Sequence, residues 1–384
     1  MDTSGTGFDP DACLAALGVT KDDPRPIDET IRADILALTT TLRTRRLASP
    51  SAPLPLIEFT FAPTDTTDTD PGELATADLI VEAKLGEGGM GAVFRGRQRA
   101  LGREVAVKLT RDGASAESAS ALLHEALLAG ALEHPNIVPI HALGRGIDGR
   151  PVLVMKRVDG VAWRDLIHDD GHPYWDRPWL ATEDHLIGHL KILQKVCQAL
   201  EYAHSRGVVH RDVKPDNVMI GVFGEVYLID WGIAFRASDE AGAATHLVGT
   251  PAYVAPEMVV GTWRDIDPRT DVYLLGATLH EVLTRRLRHE GASVAEALRQ
   301  ALRSLPFEYG SDVPPELGAL ANASTCRDPD DRPSSAFEFH ARISQFLGTR
   351  GSVGLARAAS ASLDAVRKML SRRTDRTALS DAEA

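Results

Sequence analysis

The chain has 384 residues, of which 43% are hydrophobic and 25% charged, and its formal net charge is −12. This composition predicts two or three compact units with sizeable hydrophobic cores, and it excludes a largely disordered chain. The excess of acidic residues argues against nucleic acid or an anionic membrane surface as a partner.

Cysteine content and terminal composition give expectations about the cellular setting. Cys13, Cys197 and Cys326 are far apart and form no CxxC pair. We therefore expect neither a disulfide framework nor a zinc site, and we expect a reducing, cytoplasmic environment. The N-terminus lacks a basic region followed by an apolar one, and no run of about 18 apolar residues occurs, so neither a signal peptide nor a membrane span is expected.

Residues 1–76 are predicted to be an extension outside the main domain. Five aliphatic residues recur there at helical spacing: Ile27, Ile31, Ile35, Leu38 and Leu42. This periodicity predicts one amphipathic helix, which either packs on the main domain or binds a partner. The segment that follows is rich in proline, threonine and aspartate and is interpreted as a linker.

The region 77–348 divides into a strand-rich part and a helix-rich part. Residues 77–158 contain short apolar or alternating segments between glycine-rich and polar turns, which predict strands, together with one alanine- and leucine-rich helix. Residues 159–348 are dominated by helical periodicity, and one helix is apolar nearly all round and therefore central. The predicted fold class is α+β with two lobes. The tail, 349–384, is predicted to be either disordered or a basic amphipathic helix.

A glycine-rich segment, Gly86-Glu87-Gly88-Gly89-Met90-Gly91, follows the first predicted strand of this region. Glycines let the backbone approach phosphate oxygens, with N–H groups directed at the anion. The segment continues into another strand rather than a helix, which excludes a dinucleotide-binding context and favours a hairpin lying over phosphates. Taken alone, the pattern also fits an ordinary glycine-rich turn.

Lys108 ends an apolar strand, and Glu125 lies on the next predicted helix, where it can face the sheet. A buried lysine needs a partner of opposite charge. A Lys108–Glu125 ion pair would direct the ammonium group at the α- and β-phosphates of a nucleotide. In isolation, the lysine could equally mark the end of a strand.

The strongest signal is the loop His210–Asn217, which concentrates polar and charged side chains between two apolar segments. Burying so much polarity without a function would be costly. Asp212 is suited to accept a hydroxyl proton, Lys214 to stabilise a transferring phosphoryl group, and Asn217 to offer an oxygen ligand to Mg²⁺. Asp230 follows the next apolar strand, where its carboxylate can add a second contact to the metal.

In this order and at these spacings, the motifs resemble those of the eukaryotic-type (Hanks-type) protein kinases, and specifically the serine/threonine branch common in bacteria. The resemblance covers residues 79–347. It implies a bilobal kinase fold with a strand-rich N-lobe (77–158) and a helical C-lobe (159–348). It also implies transfer of the γ-phosphoryl group of ATP to Ser or Thr hydroxyls of proteins, including the chain itself, with Mg²⁺ or alternatively Mn²⁺ as the ion.

The resemblance assigns roles to individual residues. It implies Asp212, Lys214, Lys108 and Glu125 as catalytic residues. Asn217 and Asp230 are implied as metal ligands. The nucleotide site that it implies consists of Leu85, Gly86, Glu87, Gly88, Gly89, Met90, Gly91, Ala92, Val93, Ala106, Lys108, Met155, Arg157 and Val158.

The resemblance also extends to regulation and to support of the loop. Thr245 and Thr250 fall in the implied activation segment, with Thr245 as a phosphorylation site whose phosphate Arg211 would bind. Lys214 and Thr250 favour Ser/Thr over Tyr substrates by family analogy. Glu257 is expected to pair with Arg332, and Asp271 to brace the backbone of the catalytic loop.

The sequence departs from the family pattern in three places, one of which is Lys156, where acidic hinge residues are common; the adenine contact there is made by backbone, so ATP use is expected to survive. Trp231 replaces the Phe of the DFG motif, but Asp230 and Gly232 are intact, so metal binding is not put in doubt. The segment 168–179 is an unusual aromatic insertion, which either packs locally or forms a docking surface. A pseudokinase-type binding module would be expected to lack Lys108, Asp212 or Asp230, and small-molecule kinases lack an activation segment ending in Ala-Pro-Glu. Both alternatives are therefore disfavoured.

Overall fold

The computed structural model describes residues 53–62, 77–88, 91–181, 184–236, 249–261, 263–350 and 363. The chain divides into two compact units, residues 1–340 and 341–384. The strands and helices labelled below all belong to the first unit. The predicted N-terminal amphipathic helix and nearly all of the tail 349–384 lie outside the described residues.

The N-lobe is a six-stranded sheet with one helix. In chain order its elements are β1 (Phe59–Phe61), β2 (Leu79–Gly88), β3 (Gly91–Gln98), β4 (Arg103–Leu109), α1 (Ala116–Gly130), β5 (Ile140–Arg145) and β6 (Pro151–Lys156). The strand order is β1-β2-β3-β4-β6-β5, and every pair is antiparallel except β1 with β2. Helix α1 contributes Leu122 and Ala126 to a small core with Leu153 of β6, which fixes the helix against the sheet.

The C-lobe is mainly helical. Its helices are α2 (Trp163–His168), α3 (His185–Ser205), α4 (Pro256–Val260), α5 (Pro268–Thr284), α6 (Val294–Arg303) and α7 (Pro315–Ser324), and residues 336–340 at the end of the first unit are also helical. Its short strands are β7 (Gly160–Ala162), β8 (Val208–Val209), β9 (Val218–Gly221), β10 (Val226–Leu228) and β11 (Phe235–Arg236). They pair in the orders β10-β9-β7 and β11-β8, and they carry the loops that bear the functional side chains. The predicted bilobal α+β fold is confirmed.

Helix α5 is the central helix predicted from its apolar sequence. Asp267 caps its first turn by accepting a hydrogen bond from the Arg269 amide at 2.7 Å, and Pro268 occupies the first helical position, where no amide donor is needed. The helix is buried from Thr270 to Val282. It therefore provides a fixed support inside the C-lobe for the loops that pack around it.

The aromatic insertion 168–179 packs locally, the first of the two alternatives that the sequence left open. The Trp175 ring stacks on His185 at the start of α3, with the ring centroids 4.0 Å apart. The Trp179 indole donates a hydrogen bond to the Val222 carbonyl at 3.0 Å. Because Trp175 is buried and Trp179 is half-buried, these rings secure the insertion to the C-lobe.

Residues 53–62, here called the closing segment, correct the linker interpretation. Strand β1 runs parallel to β2, with Phe59 opposite Leu79. Just upstream, the Ile57 amide donates to the Arg145 carbonyl at 2.9 Å, so the same segment also reaches β5 at the opposite edge of the sheet. It thereby covers backbone groups that both edge strands would otherwise expose. Prolines at the start of the segment and the threonine- and aspartate-rich stretch after it hid this pairing, although residues 53–62 are themselves mostly apolar.

Side chains of the closing segment complete a core. Ile57 is buried with six aliphatic residues of the sheet: Leu79, Val105, Val107, Leu109, Val152 and Val154. Gly144 of β5 makes room for it, since a Cβ atom at Gly144 would collide with the Ile57 side chain. Phe61 makes an edge-on contact with Phe94 of β3, with the ring centroids 5.6 Å apart. The N-lobe core therefore depends on residues upstream of position 77.

We expect Ile57→Ala to lower the free energy of unfolding by about 2–4 kcal/mol, because it removes a buried aliphatic side chain and leaves a cavity. Leu56→Ala is the matched control: Leu56 is 57% exposed, so its truncation should cost little. Urea unfolding of the full chain, followed by circular dichroism, measures both. Equal, small losses for the two variants would show that the closing segment is not part of the core.

Candidate active site

The Lys108 ammonium lies between two carboxylates at the floor of the N-lobe. Strand β4 supplies Lys108 and helix α1 supplies Glu125, and the Lys108 Nζ atom is 2.7 Å from both Glu125 carboxylate oxygens. Asp230 Oδ1 lies 3.6 Å from the same nitrogen. Burial alone would lower the pKa of Lys108, but the charges of Glu125 and Asp230 outweigh it and raise that pKa, so the ammonium stays charged.

Asp212 is the centre of a hydrogen-bonded cluster in the loop after β8. Lys214 Nζ lies 2.7 Å from Asp212 Oδ2, and the Thr250 hydroxyl donates to Asp212 Oδ1 at 2.9 Å. Lys214 Nζ also lies 2.5 Å from Thr250 Oγ1. Thr250 thus contacts both loop residues. Asp212 and Lys214 are both buried, at 9% and 5% exposure, so these bonds hold the carboxylate in one orientation.

Asn217 connects the Asp212 cluster to Asp230. Its Nδ2 group donates to the Asp212 backbone carbonyl and to Asp212 Oδ2, both at 2.8 Å. Its own carbonyl accepts from the Ile229 amide at 2.9 Å, which brings the residue before Asp230 alongside it. Lys108 is therefore linked to Asp212 through Asp230, through Ile229, which precedes Asp230 in the chain, and through Asn217.

Oxygen atoms suitable for a hard cation meet in this series. The Nδ2 group of Asn217 serves Asp212, so Oδ1 is the Asn217 side-chain atom suited to ligate a metal. The Asp230 side chain is 45% exposed, and the ammonium of Lys108, helped by that of Lys214, lowers its pKa, so it is a carboxylate at neutral pH. An amide oxygen and a carboxylate match the preference of Mg²⁺ for one or two protein oxygens plus phosphates and water.

The backbone of the catalytic loop is held from below by Asp271 of α5. Its two carboxylate oxygens accept hydrogen bonds from the His210 and Arg211 amides, each at 2.8 Å, so the predicted brace is confirmed. Burial would raise the pKa of Asp271, but hydrogen bonds from His204 and from these amides lower it. Arg211 has a positive φ of 67°, a strained backbone that this pair of bonds stabilises.

The glycine-rich hairpin and the hinge surround the space above Lys108. At Gly91, φ is +145° and an added Cβ would collide with the Leu109 carbonyl, so only glycine fits there. Across the sheet, Ala106 of β4 is paired with Met155 of β6, at the start of the hinge to the C-lobe. Gly89 and Met90 lie outside the described residues. Of the remaining predicted nucleotide-site residues, Leu85 is about half exposed and Arg157 pairs with Glu104.

Two side chains, one at each end of the predicted activation segment, link it to the C-lobe. Glu257 receives Arg332 NH1 at 2.7 Å and NH2 at 2.8 Å, which confirms the predicted bidentate pair. Trp231 is 1% exposed, and its ring makes an edge-on contact with His210, with the centroids 4.5 Å apart. Thr245 lies outside the described residues.

The sequence did not predict a role for four side chains near this cluster. Arg164 and His168 of α2 lie within hydrogen-bonding distance of Asp216 and Glu281, respectively. Asp216 is next to Asn217 in the loop, and that proximity was an available signal. The arginine and histidine follow no motif, and their partners lie 52 and 113 residues away in the chain, so nothing local could have paired them.

Comparison with known proteins agrees with this fold and site. Residues 79–344 match the protein kinase domain family, which is more than half of the chain. The serine/threonine-protein kinase PknD of Chlamydia trachomatis is 32% identical over 298 residues, covering 68% of this chain and 31% of that protein. The serine/threonine-protein kinase PknB of Mycolicibacterium smegmatis is 36% identical over 270 residues, covering 67% of this chain and 41% of that protein.

These findings establish the family, and the expected resemblance is confirmed. The chain belongs to the protein kinase family, in its eukaryotic-type bacterial serine/threonine branch. It spans about a third to two fifths of the length of these curated relatives. In the described part of the chain, no helix is long and apolar enough to cross a membrane.

Proposed function

We propose that this chain transfers the γ-phosphoryl group of ATP to Ser or Thr hydroxyls of proteins, including its own. The observation that carries the proposal is the series of links from Lys108 through Asp230, its chain neighbour Ile229 and Asn217 to Asp212. Phosphoryl transfer needs positioning and charge stabilisation more than covalent help, and this series offers both from two lobes.

The carboxylate of Asp212 receives the proton of the acceptor hydroxyl as the acceptor oxygen bonds to the γ-phosphorus and the bond to the β-phosphate oxygen breaks. Contacts from Thr250 and Lys214 fix the orientation of that carboxylate. The Lys214 ammonium stabilises the negative charge on the transferred group. Mg²⁺, held by Asn217 and Asp230, would neutralise charge on the phosphates.

The N-lobe residues bind and align ATP. The Lys108 ammonium, held by Glu125, contacts the α- and β-phosphates, and amides of the glycine-rich hairpin lie over them. Backbone atoms of the hinge, near Met155, Arg157 and Val158, bind the adenine. The remaining residues of the proposed nucleotide site are Leu85, Gly86, Glu87, Gly88, Gly89, Met90, Gly91, Ala92, Val93 and Ala106.

We also propose the cofactors, partners, location and domain organisation of the chain. The cofactors are ATP and Mg²⁺, with Mn²⁺ as an alternative ion, the partners are protein substrates, and the location is cytoplasmic. Residues 77–348, completed by the closing segment, form the kinase domain. Residues 1–76 act as an extension whose closing segment belongs to the N-lobe sheet, and residues 349–384 form a tail.

The direct test is incubation of the full chain with labelled ATP, Mg²⁺ and a general protein substrate. We expect label on Ser and Thr of the substrate. Nucleotide binding without transfer would instead favour a pseudokinase-type binding module. Transfer only to small hydroxyl compounds would favour a small-molecule kinase.

We expect autophosphorylation at Thr245, which precedes Thr250 in the activation segment. Arg211 is suited to bind the resulting phosphate: its guanidinium lies over the Phe235 ring, and its Nε donates to the Ile233 carbonyl at 2.7 Å. Phosphopeptide mapping after incubation with ATP identifies the site, with Thr245→Ala as the control. An unmodified segment between Asp230 and Glu257 would contradict this expectation.

A further inference from the structure

Asp216 and Glu281 are two acidic side chains linked to the residues that hold Asp212. Asp216 lies in the same loop as Asp212, next to Asn217, whose side chain donates to Asp212. Glu281 of α5 accepts a hydrogen bond from the Tyr253 hydroxyl at 2.5 Å, and the Tyr253 amide donates to the Thr250 carbonyl at 2.9 Å. Asp216 is therefore one residue, and Glu281 two contacts, from a group that holds the Asp212 carboxylate.

Helix α2 carries Arg164, whose guanidinium pairs with Asp216. Arg164 NH1 lies 3.1 Å from Asp216 Oδ1, and 48% of the Arg164 side chain remains exposed. Burial would lower the pKa of Arg164, but the charge and hydrogen bond of Asp216, with the charge of Glu281, raise it. The guanidinium is thus stabilised by both acids, and Asp216 is its nearest partner.

Glu281 is bound by His168, which lies on the same face of α2 as Arg164. His168 follows Arg164 by four residues, one helical turn, and its Nε2 lies 2.8 Å from Glu281 Oε1. Glu281 is fully buried, so its carboxylate depends on His168 and Tyr253 for hydrogen bonds. Asp216 and Glu281 are therefore both already paired with side chains of α2.

We propose that Arg164 is a specificity-determining residue that makes the kinase discriminate against acceptor sequences with Lys or Arg close to the phosphorylated residue. This inference rests on the proposed function. A Lys or Arg of the substrate that approaches Asp216 meets the half-exposed Arg164 guanidinium and must compete with it for the Asp216 carboxylate. Like charges across an interface disfavour binding, whereas neutral or acidic acceptor residues meet no such repulsion.

The test compares kcat/KM for matched peptides that contain one Ser and differ by a single Ala, Arg or Glu at each of the three positions on either side. For Arg164→Ala, we expect the ratio of Arg-containing to Ala-containing peptides to rise by about three- to ten-fold at one or more positions, in line with the modest strength of a half-exposed ion pair. Arg164→Lys retains the cation, so it should keep the wild-type ratio. Arg177→Ala is the control, because Arg177 stacks on Tyr174 instead of pairing with an acid.

The outcomes separate the two proposals. If the wild type phosphorylates no peptide or protein, the proposed function fails. If it phosphorylates peptides but already prefers basic ones, or if Arg164→Ala leaves every ratio unchanged, the proposed role of Arg164 fails while the kinase function stands. A shift that Arg164→Lys also shows would mean that shape, not charge, sets the preference, and this too would overturn the inference. Thermal unfolding of each variant verifies that it is folded.

Discussion

Replacing Asp212 by asparagine is expected to lower kcat for phosphoryl transfer by at least about 100-fold, the usual contribution of a positioned general base. The amide has the same shape but cannot take up the acceptor proton. Both oxygens of the native carboxylate are fixed, one by Thr250 and the other by Lys214 and Asn217. The loss should therefore reflect chemistry and not a displaced loop.

ATP affinity is the decisive second measurement for Asp212→Asn. Because Asp212 makes no ion pair or hydrogen bond with Lys108 or Asp230 in the described part of the chain, the dissociation constant for ATP, measured by calorimetry, should remain near the wild-type value. Asp176→Asn makes the same change at an exposed position of the insertion, so it should alter neither kcat nor ATP affinity. Equal losses of ATP affinity and turnover would contradict the assignment of Asp212 as the base.

Lys108→Met is expected to reduce kcat/KM by about 100-fold or more, the order of magnitude found when one preorganised charge-stabilising group is removed. The methionine keeps the length of the side chain but loses the cation that lies between Glu125 and Asp230. The same change leaves the buried Glu125 without its partner, so we also expect a stability loss of about 3–5 kcal/mol.

A double variant separates these two effects of Lys108→Met. Adding Glu125→Gln removes the unpaired buried charge, so stability should recover in part while activity stays low. Lys191→Met, on the exposed face of α3, is the control for loss of a lysine elsewhere. Steady-state kinetics and urea unfolding provide the two readouts. Near-native turnover in Lys108→Met would refute the phosphate-aligning role of the ion pair.

The kinase fold was predictable because its signals are local and occur in a fixed order. Asp212, Lys214 and Asn217 lie within six positions of one loop, so their spacing alone restricts how far apart they can be. The central helix was predictable for a similar reason, since continuous apolar residues leave it no solvent-facing side. The pairs Lys108–Glu125 and Glu257–Arg332 were expected from family resemblance, and the structure supplies their geometry.

The pairing of the closing segment was not predictable from local pattern. Ile57, Phe59 and Phe61 alternate with Glu58 and Thr60, but this short run lies between proline- and threonine-rich stretches, which favoured the linker interpretation. Its partners are decided by which edges of the folded sheet remain open, and one of them, Arg145, is 88 positions beyond Ile57. A domain boundary drawn from composition therefore excluded part of the N-lobe core.

By itself, the sequence determined the family, the order of the two lobes and the identity of the side chains suited to phosphoryl transfer. It could do so because residues close together in one loop or helix are held close by chain geometry. The tertiary structure alone decided that residues 53–62 complete the sheet and that Arg164 covers Asp216. Those contacts join segments far apart in the chain, and only the packing of strands and helices brings their side chains together.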